Sequence, residues 1–459
     1  MIPTDSPSTR SIGRPLAIIL FAAFFVRALA LWAAWDAQLV LDEQLYVIRA
    51  DALLRGEGFV GSFQSWVRHP DATMMVSLPQ YAGAYQPPLY TLFVASILAL
   101  PALGVGAVKV AQVLLGVLTV FVVYRIGRSW FDERCALIAA ALCALYPNFI
   151  AFTHYLWSET LFVFLVTLAF AYVTRRGNAS RAELVIAGLL FGLAALTRSA
   201  ILYFLPVLGL WLVWVHRGQG RRALVKLALL AVALVPIAPW TVRSSLLQEG
   251  FVLIDTNGPY NLWRGNTPLT FADRANPPGG TYAPPFDGLP LMPVASQNPR
   301  LLVETVKRDL GRPQPTDLEI ARHARRLAWT HIREDPTAFL QRGWIKIVDM
   351  WNPTSFLLRQ FRVGAYGETN AGVQAALSWC AVLGFLFVTG AGLVGLIASR
   401  RDPHAWLVIA LVLFFTAIHA LTFGLTRFRL PLMPFVILFA SRAIAMGAER
   451  WNAVRGRTA

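Results

Sequence analysis

Long apolar runs constrain this chain more than any other feature of its sequence. The segments PLAIILFAAFFVRALALWAAW (15–35) and WCAVLGFLFVTGAGLVGLIAS (379–399) reach the roughly 20 residues that a helix needs to cross about 30 Å of hydrocarbon. Backbone groups inside a bilayer must be satisfied within the segment, so these runs are expected to be helices. Because 56% of the residues are hydrophobic and only 14% are charged, we predict an integral membrane protein.

Basic residues outnumber acidic ones, 41 against 25, which in a soluble protein would suggest a nucleic-acid partner. Here much of the excess lies in short clusters between apolar runs, as expected for cytoplasmic anchors under the positive-inside rule. We therefore expect no nucleic-acid partner. The clusters are Arg10 and Arg14, Arg125 and Arg128, Arg175 and Arg176, Arg217 with Arg221 and Arg222, Arg400 and Arg401, and Arg450 with Arg455 and Arg457.

Placing these clusters inside predicts a polytopic all-α protein of ten or eleven spans with both termini cytoplasmic. The short run 87–101 is bracketed by prolines and is assigned to the membrane surface or a re-entrant position. The first run is too long for a signal-peptide core and is expected to remain as a span. The ten predicted spans are 15–35, 106–124, 134–152, 157–174, 182–197, 200–216, 222–243, 373–398, 404–423 and 430–447.

Three cysteines lie in or beside predicted spans, and we infer no disulfide from Cys135, Cys143 and Cys380. The long stretches 36–105 and 246–370 are left on the outer side. Nine ionisable residues also fall on that side, where the positive-inside rule does not explain the basic ones. Ionisable groups at membrane depth are costly unless paired, so their convergence predicts a functional site. They are Asp42, Glu43, His154, Glu159, Arg198, Arg243, Arg264, Arg427 and Arg429.

Each residue also has a structural interpretation. Asp42 could cap a surface helix beginning at Gln44, with Glu43 favourable at the positive end of the helix dipole. Glu159 could be a helix N-terminal charge and His154 an interfacial polar residue. Arg198 could extend outward harmlessly, but it breaks the predicted charge asymmetry and so favours an anion ligand.

The long outer stretch holds three recognisable segments. NGPYNLWRGN (257–266) is expected to be an ordered loop whose asparagines, with Trp263 and Arg264, suit sugar or phosphate recognition or ordinary turns. NPPGGTYAPPFDGLP (276–290) predicts a proline-glycine loop, and residues 316–336 predict an amphipathic helix outside the membrane. No Walker A, HExxH or CxxC pattern occurs, which disfavours a nucleotide-sugar donor bound by a soluble domain.

Together the motifs resemble one family, the GT-C integral-membrane glycosyltransferases, in the branch of the protein O-mannosyltransferases and the lipid A aminoarabinose transferase. The likeness extends over nearly the whole chain. One departure concerns the residues before the first proline pair, where the aminoarabinose-transferase pattern has Glu-Lys and this chain has Tyr85 and Gln86. The likeness rests on DEQLY (42–46), YQPPLY (85–90), HYLWSE (154–159), LTRSA (196–200), PWTVRSS (239–245), NGPYNLWRGN (257–266) and RFRLPLMPF (427–435).

The resemblance implies a GT-C catalytic module in residues 1–245, a periplasmic loop region in 246–370 and C-terminal transmembrane helices in 371–459. It also implies a polyprenyl-phosphate sugar donor, acidic residues that serve the reaction, and a divalent metal such as Mg or Mn. By position, the catalytic candidates are Asp42, Glu43 and Glu159, with Asp42 and Glu159 as metal ligands. The substrate-binding candidates are Tyr46, Gln86, His154, Arg198, Arg243, Arg264, Asn266, Arg427 and Arg429.

These expectations describe an inner-membrane enzyme that transfers a sugar to an acceptor on the outer, periplasmic side, by inverting direct displacement. The acceptor could be a lipid, a glycan or a protein. The main alternative is a transporter or lipid-linked sugar flippase, because such proteins also carry buried charges and broken helices. A subunit without chemistry is a third class, but it would not need acids and arginines to converge.

Overall fold

The computed structural model describes residues 13–458, apart from 41, 61–82, 101–102, 176–179, 218–219, 268–298 and 363. The described chain is an all-α fold of long apolar helices joined by short helices and turns, as predicted. The helices of the first half are α1 Gly13–Ala33, α2 Asp42–Leu54, α3 Leu89–Leu98, α4 Val105–Trp130, α5 Glu133–Leu145, α6 Pro147–Ala151, α7 Glu159–Val173, α8 Arg181–Thr197, α9 Leu205–Val215, α10 Gly220–Leu230 and α11 Leu234–Leu247.

The second half continues with shorter helices and then returns to long apolar ones. Three 3₁₀ segments, Ser199–Phe204, Ala231–Ala233 and Thr426–Leu432, join or extend α-helices. The remaining helices are α12 Asn257–Arg264, α13 Pro299–Leu310, α14 Asp317–Glu334, α15 Pro336–Trp351, α16 Phe356–Arg362, α17 Ala371–Ala398, α18 Pro403–Leu421 and α19 Met433–Thr458.

Every predicted span coincides with a helix or with a pair of consecutive helices in this structure. Among the described residues, five helices are long and apolar enough to cross a membrane: α1, α4, α17, α18 and the continuous stretch Thr426–Arg455. Shorter apolar helices occur at 89–98, 159–173, 199–215 and 231–247. The protein is therefore a multi-pass membrane protein, and the count of ten crossings stays a prediction. The three cysteines are unpaired, as predicted.

A buried arginine on the first span holds a break between α5 and α6. Pro147 has no N–H to give the carbonyl of Cys143, which would otherwise be its helical partner four residues earlier. Arg27, 1% exposed, donates to the carbonyls of Cys143 at 3.2 Å and Ala144 at 2.8 Å. Because lipid offers no water to satisfy these carbonyls, the guanidinium replaces the missing donor.

We expect Arg27→Met to destabilise the fold by about 1–3 kcal/mol for each carbonyl that loses its donor. Thermal unfolding in detergent micelles measures this as a lowered midpoint. Arg14→Met is the matched control, because Arg14 lies exposed at the start of the same helix. Equal midpoints for the two variants would contradict this role of Arg27.

Close helix packing fixes the C-terminal helices against each other. A Cβ added at Gly395 on α17 would lie 1.8 Å from the carbonyl oxygen of Phe439 on α19, and one at Gly392 would lie 2.5 Å from Val436. Only glycine permits this approach, which is typical of helix pairs in membranes. The 3₁₀ segment 426–432 leads directly into α19 and is therefore held in a fixed position.

A second, smaller core lies between helices of the long stretch 246–370. Tyr85, Tyr260 and Trp263 pack there against apolar residues of α13 and α14. The expectation of a loop at NGPYNLWRGN is wrong, because residues 257–264 form α12, whose Tyr260 and Trp263 are buried in this core. The helix expected at 316–336 is present as α14 and begins with a capping box at Thr316. The predicted loop 276–290 lies outside the described residues.

Candidate functional site

Four charged side chains from distant parts of the chain meet where α1, α8 and α18 end and α7 begins. Arg427 Nη1 lies 3.1 Å from Asp42 Oδ2, and its Nε lies 3.7 Å from Glu159 Oε1. Arg198 Nη1 donates to the same Glu159 oxygen at 2.6 Å. We call Asp42, Glu159, Arg198 and Arg427 the charge network. All four belong to the set that the sequence predicted to converge.

Aromatic rings hold the two arginines of the network in place. The guanidinium of Arg427 lies 4.4 Å from the ring centre of Trp157 and 5.7 Å from that of Phe356. Arg198 lies 5.1 Å from the ring centre of Phe428. Cation–π contacts of this kind attract the guanidinium through its face and leave its N–H groups, which lie in the guanidinium plane, able to donate hydrogen bonds. The rings therefore orient the arginines toward acidic groups.

Glu159 is the buried centre of the network. Its side chain is 2% exposed, whereas Arg198 and Arg427 retain 24% and 18%. A buried carboxylate is tolerated only when it is paired, and Glu159 Oε1 receives both guanidinium groups. Its position at the first residue of α7 adds the favourable end of the helix dipole. Glu159 thus holds the guanidinium groups of Arg198 and Arg427 beside the more exposed Asp42.

Asp42 is the accessible acid of the network, with 31% of its side chain exposed. Burial on its own would raise the pKa of Asp42, but the ion pair with Arg427 outweighs burial and holds that pKa below its usual value. The charges of Arg359 and Arg264 act in the same direction. Asp42 is therefore a carboxylate at neutral pH. It is also the first residue of α2, which begins two residues earlier than predicted.

Glu43 differs from its neighbour, because it points away from the network. Its two carboxylate oxygens accept hydrogen bonds from the backbone N–H groups of Val40 and Leu156, each at 2.9 Å. The side chain, 3% exposed, thus ties the start of α2 to the turn before α7. Both oxygens of Glu43 are thus engaged by the backbone, and its assignment as a catalytic candidate stays a prediction.

The protonation of Glu43 should make the stability of the folded protein depend on pH. Burial, opposed by the two backbone donors, raises the pKa of Glu43 from 4.5 to about 7. The folded state therefore retains this proton at pH values where the unfolded state has lost it, and stability should fall as pH rises from about 4.5 to about 7. The full effect is about 3 kcal/mol. Thermal midpoints across this range should show the decline, and Glu43→Gln should remove it; parallel profiles would contradict the assignment.

Tyr46 lies one turn along α2 from Asp42 and borders the network, since burial raises the pKa of its hydroxyl and the charges of Asp42 and Glu159 raise it further. Its ring packs edge-on against Tyr90, with centroids 4.6 Å apart. Gln86 instead accepts a hydrogen bond from the buried Arg49, and so joins α2 to the YQPPLY segment. Of these two predicted substrate-binding residues, the structure places Tyr46 beside the network and Gln86 in the contact that joins α2 to the YQPPLY segment.

His154 belongs to a separate buried cluster. Its Nε2 lies 2.7 Å from the hydroxyl of Tyr366, which donates to the hydroxyl of Tyr155 at 2.8 Å. Burial, with a smaller contribution from Lys109, lowers the pKa of His154 to about 3, so the ring is neutral. This geometry places His154 in the packing between the turn 152–158 and the segment after α16.

Two further predicted arginines lie at the edges of the region. Arg243 stacks 4.5 Å from the ring centre of Trp240 and donates to the carbonyl of Gly83 at 3.3 Å. Arg264 lies 4.3 Å from the ring centre of Phe423, and its charge acts on Asp42. Arg264 therefore contributes to the positive potential around the network, whereas Arg243 anchors the segment at Gly83.

Asn266 is part of the packing and not of an open site. It is fully buried, and its amide donates to the carbonyls of Leu262 at 2.7 Å and Leu421 at 2.8 Å. Its own oxygens accept from Lys346, at 3.1 Å, and from Arg342. Its amide and backbone carbonyl are occupied in this way, and the prediction that Asn266 contacts a substrate stays untested.

Arg429 lies two positions after Arg427, but its contacts are different. It is 2% exposed and donates to the carbonyls of Met350 and Thr354, each at 3.0 Å, and of Asn352. These carbonyls lie at and just after the end of α15, where a cation is favourable. The three carbonyls thus engage the guanidinium of Arg429, and its assignment to a lipid phosphate stays a prediction.

The predicted metal ligands Asp42 and Glu159 do not fit a divalent ion in this arrangement. Both are already paired with arginines, and the described part of the chain contains no cluster of three or more acidic, histidine or cysteine side chains. The free oxygen of Glu159, Oε2, borders a cavity of about 20 Å³ that Arg27 also lines. Mg²⁺ requires near-octahedral oxygen ligands, and cations surround these two carboxylates.

The residues that sequence reasoning missed are Trp157, Phe356 and Arg359. Trp157 lies inside the HYLWSE motif, so its position beside Glu159 was visible in the sequence. Phe356 and Arg359 belong to α16, about 200 residues later, and no local pattern links them to Asp42. Only the folded chain brings α16 to the network.

One family model matches part of the chain. Residues 85–242 match the family model described as dolichyl-phosphate-mannose-protein mannosyltransferase. No curated protein sequence matches the chain. The matched segment contains the motifs YQPPLY, HYLWSE and LTRSA, and with them Glu159 and Arg198 of the charge network.

Solved structures share the fold at low sequence identity. The oligosaccharyltransferase of Archaeoglobus fulgidus, tethered with an acceptor peptide, superposes with a TM-score of 0.55 and 14% identity over 98% of this chain. Its apo form gives 0.56 and 15% over the same share. This chain spans about half of that protein, 51% and 52% in the two structures.

A weaker likeness is to ArnT from Cupriavidus metallidurans bound to undecaprenyl phosphate, with a TM-score of 0.43 and 16% identity. It covers 95% of this chain and 79% of that one. A score at this level does not establish a common fold, and the comparison with the oligosaccharyltransferase carries that conclusion. The matched family segment and the shared all-helical fold agree with the resemblance to the GT-C integral-membrane glycosyltransferases that the sequence motifs indicate.

Proposed function

We propose that the protein transfers a sugar from a polyprenyl-phosphate-linked donor to an acceptor hydroxyl at the outer face of the membrane. The observation that carries this proposal is the charge network: an accessible, ionised Asp42 shares Arg427 with the buried Glu159. An oligosaccharyltransferase with this fold has been solved with dolichol-phosphate, which supports a lipid phosphate as the ligand.

The two arginines suit the phosphate of such a donor. When the sugar leaves, negative charge develops on the bridging phosphate oxygen, and donors positioned there stabilise the transition state. Arg198 and Arg427 each keep about a fifth of their surface exposed, so both can reach an incoming anion. A guanidinium grips phosphate oxygens with two parallel hydrogen bonds, which a lysine cannot do.

Asp42 is suited to act as the base that takes the proton of the acceptor hydroxyl. While Arg427 is paired with it, the lowered pKa makes Asp42 a weak base. A phosphate that draws Arg427 away would remove the largest lowering effect, so the pKa of Asp42 would rise in the direction that burial favours. Asp42 would then accept the hydroxyl proton as the acceptor oxygen bonds to the anomeric carbon. The bond from that carbon to the phosphate oxygen breaks in the same step, its electron pair leaves with the phosphate, and the anomeric configuration inverts.

Glu159 acts through the arginines in this scheme. It is almost fully buried and accepts from Arg198, so it cannot easily reach a substrate hydroxyl. Its role is to position Arg198 and Arg427 side by side. The earlier assignment of Glu159 as a second catalytic acid therefore becomes a positioning role.

The orientation of the site follows from the arginine clusters and is part of the proposal. With the clusters inside, both termini are cytoplasmic and Asp42 faces outward, periplasmic in a bacterial inner membrane. Cysteine labelling with a membrane-impermeant maleimide, in a variant without Cys135, Cys143 and Cys380, tests this. Position 51 should label from outside and position 401 only after permeabilisation; the reverse pattern would refute the orientation.

The activity itself is tested with purified protein in liposomes containing polyprenyl-phosphate sugars. A panel of such donors is incubated with lipid, glycan and peptide acceptors, and the released polyprenyl phosphate and the sugar product are measured. Product formation that requires Asp42 supports the proposal. Movement of intact lipid-linked sugar between leaflets, without release of polyprenyl phosphate, would instead identify a flippase.

A further inference from the structure

Helix α15 buries its charged side chains and exposes its apolar ones, the opposite of what is expected for a helix in water. Arg342 and Lys346 are 7% and 4% exposed, on the same face as the fully buried Met350. Leu340 and Trp344 are 70% and 66% exposed on the opposite face. Both sets recur every four residues, the spacing that keeps side chains on one face of a helix. The polar face therefore points inward and the apolar face outward.

Hydrogen bonds to the neighbouring chain hold the charged groups of the inward face. Lys346 Nζ donates to the amide oxygen of Asn266 at 3.1 Å and to the carbonyl of Leu421 at 3.3 Å. Arg342 donates to the carbonyl of Asn266. The chain after α18 passes so close that a Cβ at Gly424 would lie 2.3 Å from the carbonyl oxygen of Lys346. These contacts fix the rotation of α15 and so determine that Trp344 points outward.

The packing partner of α15 is one of the long apolar helices. Trp351 Nε1 donates to Thr416 of α18 at 3.1 Å, while Lys346 reaches the end of α18 at Leu421. The two helices thus run antiparallel over this stretch. At 1.5 Å per residue, Trp351 lies about 8 Å inside the end of α18. Helix α18 also exposes apolar side chains, since Leu413 and Leu421 are 63% and 50% exposed.

The two ends of α15 lie in different surroundings. Its first turn follows the exposed charged residues Arg333, Glu334 and Asp335, and Asp335 accepts from the backbone N–H of Ala338 at 2.8 Å. At the other end, buried Arg429 donates to the carbonyl of Met350. A charged cap exposed to water at one end and a buried donor at the other are what a helix entering a bilayer requires.

We propose that α15 enters the membrane from the water side at Asp335, with Leu340, Trp344 and Val348 facing lipid acyl chains. The helix is too short and too charged to count as a span, which is why sequence reasoning placed it with 246–370 outside the membrane. The surface it offers is a lipid-binding face of a partly inserted helix. It also places α16, which follows α15 and carries Phe356 and Arg359, at the boundary between lipid and the charge network.

Spin labels test this proposal in the intact protein reconstituted in lipid nanodiscs. Single cysteines at positions 340, 344 and 348, in the cysteine-free variant, are labelled and their collision rates with oxygen and with a water-soluble nickel chelate are measured. Oxygen concentrates in hydrocarbon and the chelate in water. We expect oxygen to dominate at these three positions by several-fold, and the chelate to dominate at position 337, an exposed residue in the first turn of α15.

Two results would overturn the proposal. Chelate access at 344 and 348 equal to that at 337 would place the face in water. Low access to both reagents would show that protein, such as a second copy, covers the face. The use of three positions guards against loss of folding in any one variant, and gel filtration of each labelled variant verifies its fold.

Discussion

Asp42→Asn is expected to abolish sugar transfer while leaving the protein folded and able to bind its donor. Asparagine is a good residue at a helix start, so the substitution gives up only the dipole contribution of about 0.3–1 kcal/mol. It removes the carboxylate that would take the acceptor proton, a contribution of about 10²–10⁴ in rate. Turnover with saturating donor and acceptor measures this loss.

Donor affinity separates catalysis from positioning in this variant. Because Asp42→Asn frees Arg427 from its ion pair at 3.1 Å, we expect donor binding to stay equal or to tighten. Asp51→Asn is the matched control, since Asp51 lies on the same helix, is exposed and pairs only with surface groups around Arg55. Near wild-type transfer by a folded Asp42→Asn protein would defeat the assignment of Asp42 as the base.

Arg427→Lys is expected to weaken donor binding by roughly 10- to 150-fold without lowering the thermal midpoint much. Lysine keeps the charge but loses the planar fork, and the charge-assisted hydrogen bond at stake contributes about 1.5–3 kcal/mol. Arg427 is partly exposed, so a lysine there can find water. Equilibrium binding of a fluorescent polyprenyl phosphate to purified protein measures the change.

Arg429→Lys provides a contrasting control two residues away. Arg429 donates to the carbonyls of Met350, Asn352 and Thr354, and a lysine cannot reach all three at once. We expect the free energy of unfolding to fall by about 1–3 kcal/mol for each carbonyl left without a donor, which lowers the thermal midpoint. The donor affinity of the folded protein should be unchanged. If instead the two variants lose donor affinity equally, Arg429 contacts the phosphate and the structural assignment fails.

The sequence was sufficient for the elements whose signal is local. The apolar runs of α1 and α17 identify helices because a bilayer leaves the backbone no other way to satisfy its hydrogen bonds. Asp42, Glu159, Arg198 and Arg427 could be selected together because each sits at the end of an apolar run on one predicted side. Their convergence follows from topology, which short connections between helices largely determine.

Only the tertiary structure decided which charged residues are open to a substrate. Arg427 and Arg429 are near neighbours in one motif, but the 3₁₀ segment turns the first toward Asp42 and the second toward the end of α15. Glu43 likewise separates from Asp42 because successive helical residues point about 100° apart. Side-chain direction in such segments depends on distant partners, which a local pattern does not contain.

The same limit explains α15. By itself, a helix with arginine and lysine beside tryptophan and leucine predicts a surface with its charges in water. The buried carbonyls at the end of α18, together with Asn266, reverse this preference, because they supply the hydrogen bonds that the charges need. The sequence alone thus determined a multi-pass helical membrane protein with acids and arginines gathered on one side. Only long-range packing decided which of them stay partly exposed, since burying a charge depends on partners far away in the chain.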